Sequence, residues 1–286
     1  METRSRAVLS WTLRLLIAAV FCLSAIAKLV GIDQFEVYVF SFGFFPLTAC
    51  YLLARLCIAA EFILALFVLG GWYPRTMRLA TVGLLVFFSL FLCYSALVGR
   101  NESCQCFGQW VDMNPLQSLL KNAVLLLLVL LNYRLLPPRR LLCRWVPLIL
   151  ALGLAVVPFV VSVPDNWMFG AGRLPYNEEL LKNELHADGA LASHGLGSDR
   201  RLLAFVTKGC PYCKISREKL DAISARHGIA ADRIVYLLPS DLPDNLFIEI
   251  TYGSRPLLML LDGDSVVATY HSRNIDEKEV ARFLAD

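Results

Sequence analysis

The chain has 286 residues, of which 57% are hydrophobic, and its mean hydropathy is +0.58. This composition excludes a single soluble domain, because the apolar excess lies before Val163 in runs of roughly 20 residues, the length that crosses a bilayer. The formal net charge of +3 is small, and no basic patch carries interleaved aromatic residues, so nucleic-acid binding is not expected. The residues after Val163 number about 120 and have globular composition, which suits one domain.

The apolar runs predict five membrane spans, and the arginines predict their orientation. Positive residues concentrate in cytoplasmic loops, and here they precede the first span, separate the second from the third, and follow the fourth. We therefore expect the bacterial inner membrane, a cytoplasmic N-terminus and a periplasmic C-terminal region. The predicted spans are 15–30, 47–70, 77–98, 116–136 and 145–163, and the arginines are Arg4, Arg6, Arg14, Arg75, Arg78, Arg134, Arg139, Arg140 and Arg144.

Two stretches near the N-terminus carry further signals. Ala25-Ile26-Ala27 resembles a signal-peptidase site, so cleavage after Ala27 is an alternative to an uncleaved first span. Both alternatives place Gly31 outside. Residues 31–46 contain acidic side chains, no lysine or arginine, and many aromatic residues. This composition predicts a loop that lies on the outer membrane surface.

The nine cysteines fall into two groups. Five lie in or beside apolar runs, where cysteine behaves as a small hydrophobic residue. The other four form two close pairs outside the spans, Cys104/Cys106 and Cys210/Cys213. Close pairs of this kind suggest redox chemistry in an oxidising compartment. The five apolar cysteines are Cys22, Cys50, Cys57, Cys93 and Cys143.

The second pair lies in the stretch Gly-Cys-Pro-Tyr-Cys-Lys that begins at Gly209. We predict a strand before it, at 201–206, and a helix after it, at 214–227. Cys210 is then at a helix N-terminus, where free backbone N–H groups and the helix dipole favour a thiolate. Cys213 follows one turn later, close enough to resolve a mixed disulfide. Pro211 suits the first turn, because no amide hydrogen is needed there.

Two other interpretations of this pair are a structural disulfide and half of a zinc site. A zinc site needs a second ligand pair, and His227 and His271 are single and far apart in sequence. Further along we predict a strand at 233–238, a short helix at 242–250, a hairpin of strands 256–261 and 265–270 around Asp262-Gly263, and a helix at 276–284 capped by Asp276. A helical lead-in at 178–186 precedes the motif.

This order of elements resembles the thioredoxin family across about 199–286. The resemblance implies a cis-proline facing the motif, and Pro256 occupies the matching place. Arg255 departs from the small or β-branched residue usual before that proline; it either adds positive charge near Cys210 or is simply exposed. The dipeptide Pro211-Tyr212 also occurs in glutaredoxins, but no glutathione-binding signature follows Pro256.

The stretch Cys104-Gln-Cys106-Phe-Gly, between the third and fourth spans, resembles the methylamine-utilisation MauE family within the wider DoxX-like membrane proteins. Weaker likeness in Ser24–Leu29, the aromatic loop and Glu61 extends it over roughly residues 8–136. That family is implicated in maturing a disulfide-rich periplasmic enzyme subunit beside a separate thioredoxin-like partner. The resemblance implies that both parts are fused here. A Cys-x-Cys disulfide closes a small, strained ring, which favours exchange; the alternative is a structural or free pair.

Charged residues inside the spans suggest a further site. Glu61 lies about 20 Å below the outer end of the second span, at about 1.5 Å per residue. An ionisable group at that depth marks a functional site or a structural ion pair. By depth, Arg14 is a partner from the inner side, whereas Arg55 lies nearer the outer surface. Lys28 and Lys121, near the outer ends of spans one and four, either snorkel, stabilise thiolates in the cysteine loop, or polarise a quinone carbonyl.

The sequence thus predicts a membrane α-helical bundle of 4+1 transmembrane helices plus an α/β thioredoxin-like domain. We expect a MauE/DoxX-like domain of four transmembrane helices at 1–136 and a fifth transmembrane helix at 137–163. A linker with the helical lead-in is expected at 164–198, and the thioredoxin-like domain at 199–286. The predicted function is thiol–disulfide exchange between Cys210/Cys213, periplasmic client proteins and Cys104/Cys106, with no metal and with a membrane quinone inferred only from location. The alternatives are a reductive thiol relay and a non-enzymatic maturation or docking factor for a specific client.

Overall fold

The computed structural model describes residues 2–97, 113–135, 145–164, 174–186, 189–194, 196, 199–243 and 245–285. The chain separates into two compact units. The first comprises Met1–Tyr38 with Tyr51–Val163, and the second comprises Val39–Cys50 with Pro164–Asp286. We call them the helical unit and the sheet unit.

The helical unit contains the apolar helices. Four are long and apolar enough to cross a membrane, as expected for the first four spans. The predicted fifth span is an apolar helix of 17 residues, at the lower limit of about 17 residues for a crossing, so five-span topology stays a prediction. The helices are α1 (Glu2–Val30), α2 (Ile32–Ser41), α3 (Leu47–Gly70), α4 (Pro74–Leu97), α5 (Pro115–Leu135) and α6 (Trp145–Val161).

The stretch predicted as a surface loop, 31–46, instead contains the ten-residue helix α2. Asp33 lies in its first turn, where a negative charge suits the helix dipole. Phe35, Tyr38 and Phe40 are buried, so these aromatic residues are core residues rather than an interfacial belt. The loop prediction was therefore wrong for the residues of α2, whereas residues 42–46 are not helical and include exposed Phe44 and Phe45.

Helix α5 packs against both α1 and α4. The start of α5 has a reciprocal cap: the Asn114 side chain accepts from Gln117 N at 2.8 Å, and the Gln117 side chain accepts from Asn114 N at 3.0 Å. Pro115 occupies the first helical position. The buried cluster among the helices is Ile17, Ala18, Phe21, Leu64, Ala65, Val68, Leu85, Leu125 and Val129.

The sheet unit is built on a four-stranded mixed sheet of order β2-β1-β3-β4. β1 runs parallel to β2 and antiparallel to β3, and β4 is antiparallel to β3. Gly263, at a φ of 64°, turns β3 into β4, as the Asp-Gly signal predicted. The elements are α7 (Glu178–Leu185), β1 (Arg200–Phe205), α8 (Pro211–His227), β2 (Ile234–Leu237), α9 (Leu246–Thr251), β3 (Leu257–Asp262), β4 (Ser265–Tyr270) and α10 (Glu277–Ala285).

The predicted strands and helices of this unit are present, with ends shifted by a few residues. Asp276 caps α10 as expected, accepting from Lys278 N and Glu279 N. The lead-in helix α7 is part of the core rather than a free linker, because Leu181 and Leu185 are buried one turn apart. The core they join is Leu191, Leu196, Leu203, Phe205, Leu237, Leu242, Leu246, Phe247, Ile250, Leu257, Met259 and Leu261.

The segment Val39–Cys50 also belongs to the sheet unit, which the sequence did not indicate. Arg226, in the last turn of α8, donates to Phe40 O at 2.8 Å and to Phe45 O at 2.9 Å. Glu277, at the start of α10, accepts from Leu47 N at 2.8 Å and from Arg226 at 2.9 Å. We call Arg226 and Glu277 the clamp. Together they add hydrogen bonds to backbone groups at the C-terminus of α2 and the N-terminus of α3, where a helix lacks part of its own backbone pairing.

Candidate functional site

The pairing of the strands brings four chain segments to one edge of the sheet. The last residue of β1, Phe205, pairs with Leu237 at the end of β2 and with Leu257 at the start of β3. Leu258 in turn pairs with Tyr270, the last residue of β4. The segments after β1, after β2, before β3 and after β4 therefore start or end at this edge. These segments contain the Cys-x-x-Cys stretch, Pro256, whose peptide bond is predicted to be cis, and residues 271–274.

Cys210 is the N-cap of α8, as the sequence predicted. Gly209 has a φ of 77°, in the left-handed region that favours glycine. The Cys210 sulfur accepts a hydrogen bond from Cys213 N at 3.2 Å. Pro211 follows at the first helical position. The helix N-terminus thus directs the Cys213 backbone N–H at the Cys210 sulfur.

The two sulfurs differ in accessibility. Cys210 is half-buried, whereas Cys213 is 4% exposed, and the two are not joined in a disulfide. Burial, and next the hydrogen bond with Cys210, hold the pKa of the Cys213 thiol above its ordinary value. The Thr207 hydroxyl lies 4.0 Å from the Cys213 sulfur. A reaction partner therefore meets Cys210 first, and Cys213 is the protected sulfur.

The bond between Arg255 and Pro256 is cis, which confirms the expectation from the sequence. Pro256 is buried and Arg255 is exposed. The proline directly precedes Leu257, the register partner of Phe205. The position of Pro256 at the motif's edge of the sheet is thus fixed by strand pairing.

The segment after β4 contributes residues that sequence reasoning missed. The Tyr212 ring lies 6.0 Å from the His271 ring, centroid to centroid, and the Arg273 guanidinium lies 5.7 Å from the Tyr212 centroid. Fully buried Lys219 of α8 donates to Ser272 O at 2.9 Å. The predicted hairpin of β3 and β4 could have indicated this position. Because the two strands are antiparallel, β4 ends beside the start of β3, and the residues after β4 therefore lie near Pro256.

The helical unit contains a buried ion pair between Lys28 and Glu61. Lys28 Nζ lies 2.7 Å from Glu61 Oε1 and 2.6 Å from Ser24 Oγ, and the two charged side chains are 4% and 5% exposed. The Phe35 and Phe88 ring centroids each lie 5.9 Å from Nζ. Lys28 therefore does not snorkel. Glu61 Oε2 is buried without a hydrogen-bond partner among the described residues, and such a group is costly.

A second buried pair joins Arg55 and Glu36, both fully buried. Arg55 also donates to Ser162 O at 2.8 Å and to Val163 O at 3.0 Å, and so satisfies carbonyls beyond the C-terminus of α6. The sequence placed Arg55 near the outer surface and did not predict these partners, which depend on helix packing.

Two further cations considered from the sequence lie elsewhere. Arg14 is not the ion-pair partner of Glu61, which is held by Lys28. Its guanidinium lies 5.4 Å from the Trp11 ring centroid and beside Gly71, where a Cβ atom would collide with it. Lys121 is half-buried on α5.

The other predicted sulfur pair, Cys104 and Cys106, lies outside the described residues, as does Cys143. The described apolar cysteines are not in disulfides; they are Cys22, Cys50, Cys57 and Cys93. Within the described ranges, no group of three or more His, Cys, Asp or Glu side chains is arranged to hold a metal ion.

Comparison with known proteins finds similarity over part of the chain. The chain is 31% identical over 138 residues to "Protein TlpB" of Flavobacterium psychrophilum, a match that covers 45% of this chain and 37% of that protein. The matched part therefore spans little more than a third of that relative. No solved structure matches the chain. The model of the family "Methylamine utilisation protein MauE" matches residues 6–135, so this part of the chain is similar to that family.

Proposed function

We propose that the protein is a membrane-bound thiol–disulfide oxidoreductase whose sheet unit is a thioredoxin-like domain. The observation that carries the proposal is the asymmetric pair, with accessible Cys210 capping α8 and Cys213 buried behind it. The mixed sheet, the cis bond before Pro256 and the position of Pro256 at the motif's edge support the same fold. The similarity of residues 6–135 to the MauE family is consistent with such a task in a membrane.

The proposed exchange conserves electrons and protons. With the domain oxidised, a client thiolate attacks the Cys210 sulfur and breaks the Cys210–Cys213 bond, which releases the Cys213 thiolate. A second client thiolate then attacks the client sulfur of the mixed disulfide and releases Cys210. The client gains one disulfide, and the domain now holds the two electrons as a dithiol.

We further propose that Cys104 and Cys106 reoxidise the domain. The Cys210 thiolate attacks their disulfide and forms a mixed disulfide, releasing one of the two thiolates. Cys213 then attacks Cys210 and leaves Cys104 and Cys106 reduced. This relay requires both pairs on the same side of the membrane, which the arginine distribution predicts as the periplasmic side of the inner membrane.

The final acceptor in this proposal is a membrane quinone, which takes two electrons and two protons from the Cys104/Cys106 dithiol and becomes a quinol. Lys28 and Glu61 are candidates to support this step, because a buried ion pair within a span is costly and is a functional candidate by default. Lys121, half-buried on α5, is a third candidate cation.

Thiol trapping in cells tests the direction of flow. We expect Cys210 and Cys213 to accumulate in the reduced form when respiratory quinone is removed, and to be oxidised when it is restored. If the redox state of Cys210 and Cys213 does not change when quinone is removed, the oxidase version is contradicted and the reverse relay is supported. A pair that never changes state and forms no adduct supports a docking or structural role.

A further inference from the structure

We propose that Tyr212, His271 and Arg273 form a recognition face that selects client segments with acidic side chains beside the reacting sulfur. This inference rests on the proposed thiol–disulfide function and names the chemistry of its partner. It is independent of the direction of electron flow, because the same face is used in both.

The recognition face is adjacent to the reactive sulfur. Tyr212 lies two residues after Cys210 in the first turn of α8, and its ring is 41% exposed. The His271 ring is 6.0 Å away on one side, and the Arg273 guanidinium is 5.7 Å from the Tyr212 centroid. A peptide whose sulfur reaches Cys210 therefore reacts two residues away from an aromatic ring that has an imidazole and a guanidinium beside it.

The segment that presents His271 and Arg273 is fixed in place. Lys219 reaches up from α8 to Ser272 O at 2.9 Å, and its side chain is fully buried. The Asn274 side chain accepts from His271 N, which closes the turn after β4. Ser272 and Asn274 are themselves buried. A rigid turn orders few groups on binding and so costs little conformational entropy.

The segments that meet at this edge carry both signs of charge, and the cation beside the Tyr212 ring is half-buried Arg273. On the described parts of these segments the exposed cations are Lys208, Lys214 and Arg255, and the exposed acids are Asp241 and Asp276. Lys214 Nζ lies 3.8 Å from Glu218 Oε1, which offsets part of its charge. Both acids accept hydrogen bonds from nearby backbone N–H groups, Asp241 from Leu238 N and Asp276 from Lys278 N and Glu279 N. The guanidinium beside Tyr212 therefore favours an acidic side chain on the ligand, and complementary charge acts mainly on encounter rate and specificity.

A client peptide is favoured over an anionic lipid surface as the occupant. The face borders Cys210, so whatever covers it during exchange is the part of the client that carries the reacting sulfur. A lipid headgroup carries no sulfur and would block that approach.

The test uses the purified full chain in detergent and three peptide disulfides that differ only in flanking residues: acidic, neutral and basic. The second-order rate constant of reduced Cys210 is measured with each peptide and with the small uncharged disulfide of mercaptoethanol. We expect the acidic peptide to react about tenfold faster than the basic one at low salt, and this ratio to fall as salt rises. Arg273→Gln should reduce the ratio by about threefold, and its effect on the rate with the uncharged disulfide should be smaller than its effect on the rate with the acidic peptide.

Arg217→Gln is the matched control. Arg217 also lies on α8 and stacks over an aromatic ring, that of Tyr236 at 4.8 Å, but on the β2 side. Its loss should leave the peptide ratio unchanged. The inference is overturned if the three peptides react at equal rates. It is also overturned if Arg273→Gln and Arg217→Gln change the ratio of acidic to basic peptide rates equally. Competition by anionic vesicles combined with equal peptide rates overturns it as well. Failure of the uncharged disulfide to react at Cys210 contradicts the proposed function itself.

Discussion

At the scale of single residues, the two sulfurs of the Cys-x-x-Cys stretch are made unequal by one helical turn. Cys210 caps the helix and is half-buried, while Cys213 turns into the core at 4% exposure. The sequence predicted this division of roles, because a helix N-terminus must follow the strand and the first cysteine must precede the helix. It did not predict Lys219 or the turn after β4, since these contacts depend on strand order.

The unequal sulfurs predict selective alkylation. A raised pKa means that Cys213 ionises only at higher pH than a free thiol. Iodoacetamide at pH 7 should therefore modify Cys210 more than tenfold faster, and Cys213 should react only as the pH is raised. Fragment spectra of the Gly209–Lys214 peptide locate the label. Chemically unfolded protein, in which both thiols should react alike, is the control; equal labelling of the native protein contradicts the assignment.

The Lys28–Glu61 pair is a second residue-scale feature, and only Glu61 stood out in the sequence as a candidate for a buried charge. The depth of Glu61 marked it as unusual, but partner choice depends on helix rotation, which favoured Lys28 over Arg14. Because both side chains are almost fully buried, removing one charge leaves the other unpaired in an apolar interior. Removing both charges together avoids that cost.

This contrast yields a stability prediction. Glu61→Leu alone should destabilise the helical unit by about 3–5 kcal/mol, and Lys28→Met with Glu61→Leu should restore most of it. Thermal unfolding in detergent measures both. The folded double variant then tests the role of the pair: we expect it to lose quinone-dependent reoxidation while Cys210 still reacts with the uncharged disulfide. If the double variant still shows full quinone-dependent reoxidation of Cys210 and Cys213, the Lys28–Glu61 ion pair has only a structural role.

At the scale of elements, the clamp is the least expected feature. Helical periodicity predicted α8 and α10 and the cap of α10, but not that their ends would hold the segment Val39–Cys50. Arg226 also places its guanidinium 3.9 Å from the Phe40 ring centroid. From sequence alone, charged residues at helix ends are usually interpreted as solvent-exposed. The backbone groups that Arg226 and Glu277 bind are visible only in the tertiary structure.

Glu277 makes the clamp sensitive to pH. Burial opposes its ionisation, but hydrogen bonds with Leu47 N, His227 and Arg226 outweigh burial and hold the pKa of Glu277 below 4.5. A lowered pKa means that the stabilisation is present at neutral pH and is lost as the pH falls through the folded-state value.

Glu277→Gln should therefore weaken the clamp by about 2 kcal/mol at pH 7. The local readout is hydrogen exchange at the Leu47 amide, which should speed up in the variant at pH 7. Wild type should approach the variant's protection as the pH drops below 4.5. Glu279→Gln, on the same helix, is the control and should leave Leu47 unchanged. Equal protection of Leu47 in wild type and Glu277→Gln at pH 7 contradicts the clamp.

At the scale of the whole molecule, the sequence predicted the division into apolar helices and a C-terminal sheet. It did not predict that Val39–Cys50 joins the sheet unit or that α2 replaces the outer loop. The first difference reflects the hydrogen bonds of the clamp to this segment, and the second accompanies burial of Phe35, Tyr38 and Phe40. The predicted relay between the two sulfur pairs depends on Cys104 and Cys106, which lie in the Cys-x-Cys motif within the part of the chain that matches the MauE model, residues 6–135.

The most direct test of the account is the partner of Cys210 when Cys213→Ser prevents resolution. The full chain is taken from membranes with thiols blocked, and disulfide-linked peptides are mapped by mass spectrometry. The relay predicts an adduct between Cys210 and Cys104 or Cys106 that is absent when Cys210 is also replaced by serine. Adducts of Cys210 with other proteins alone, and none with either cysteine of that pair, would contradict it.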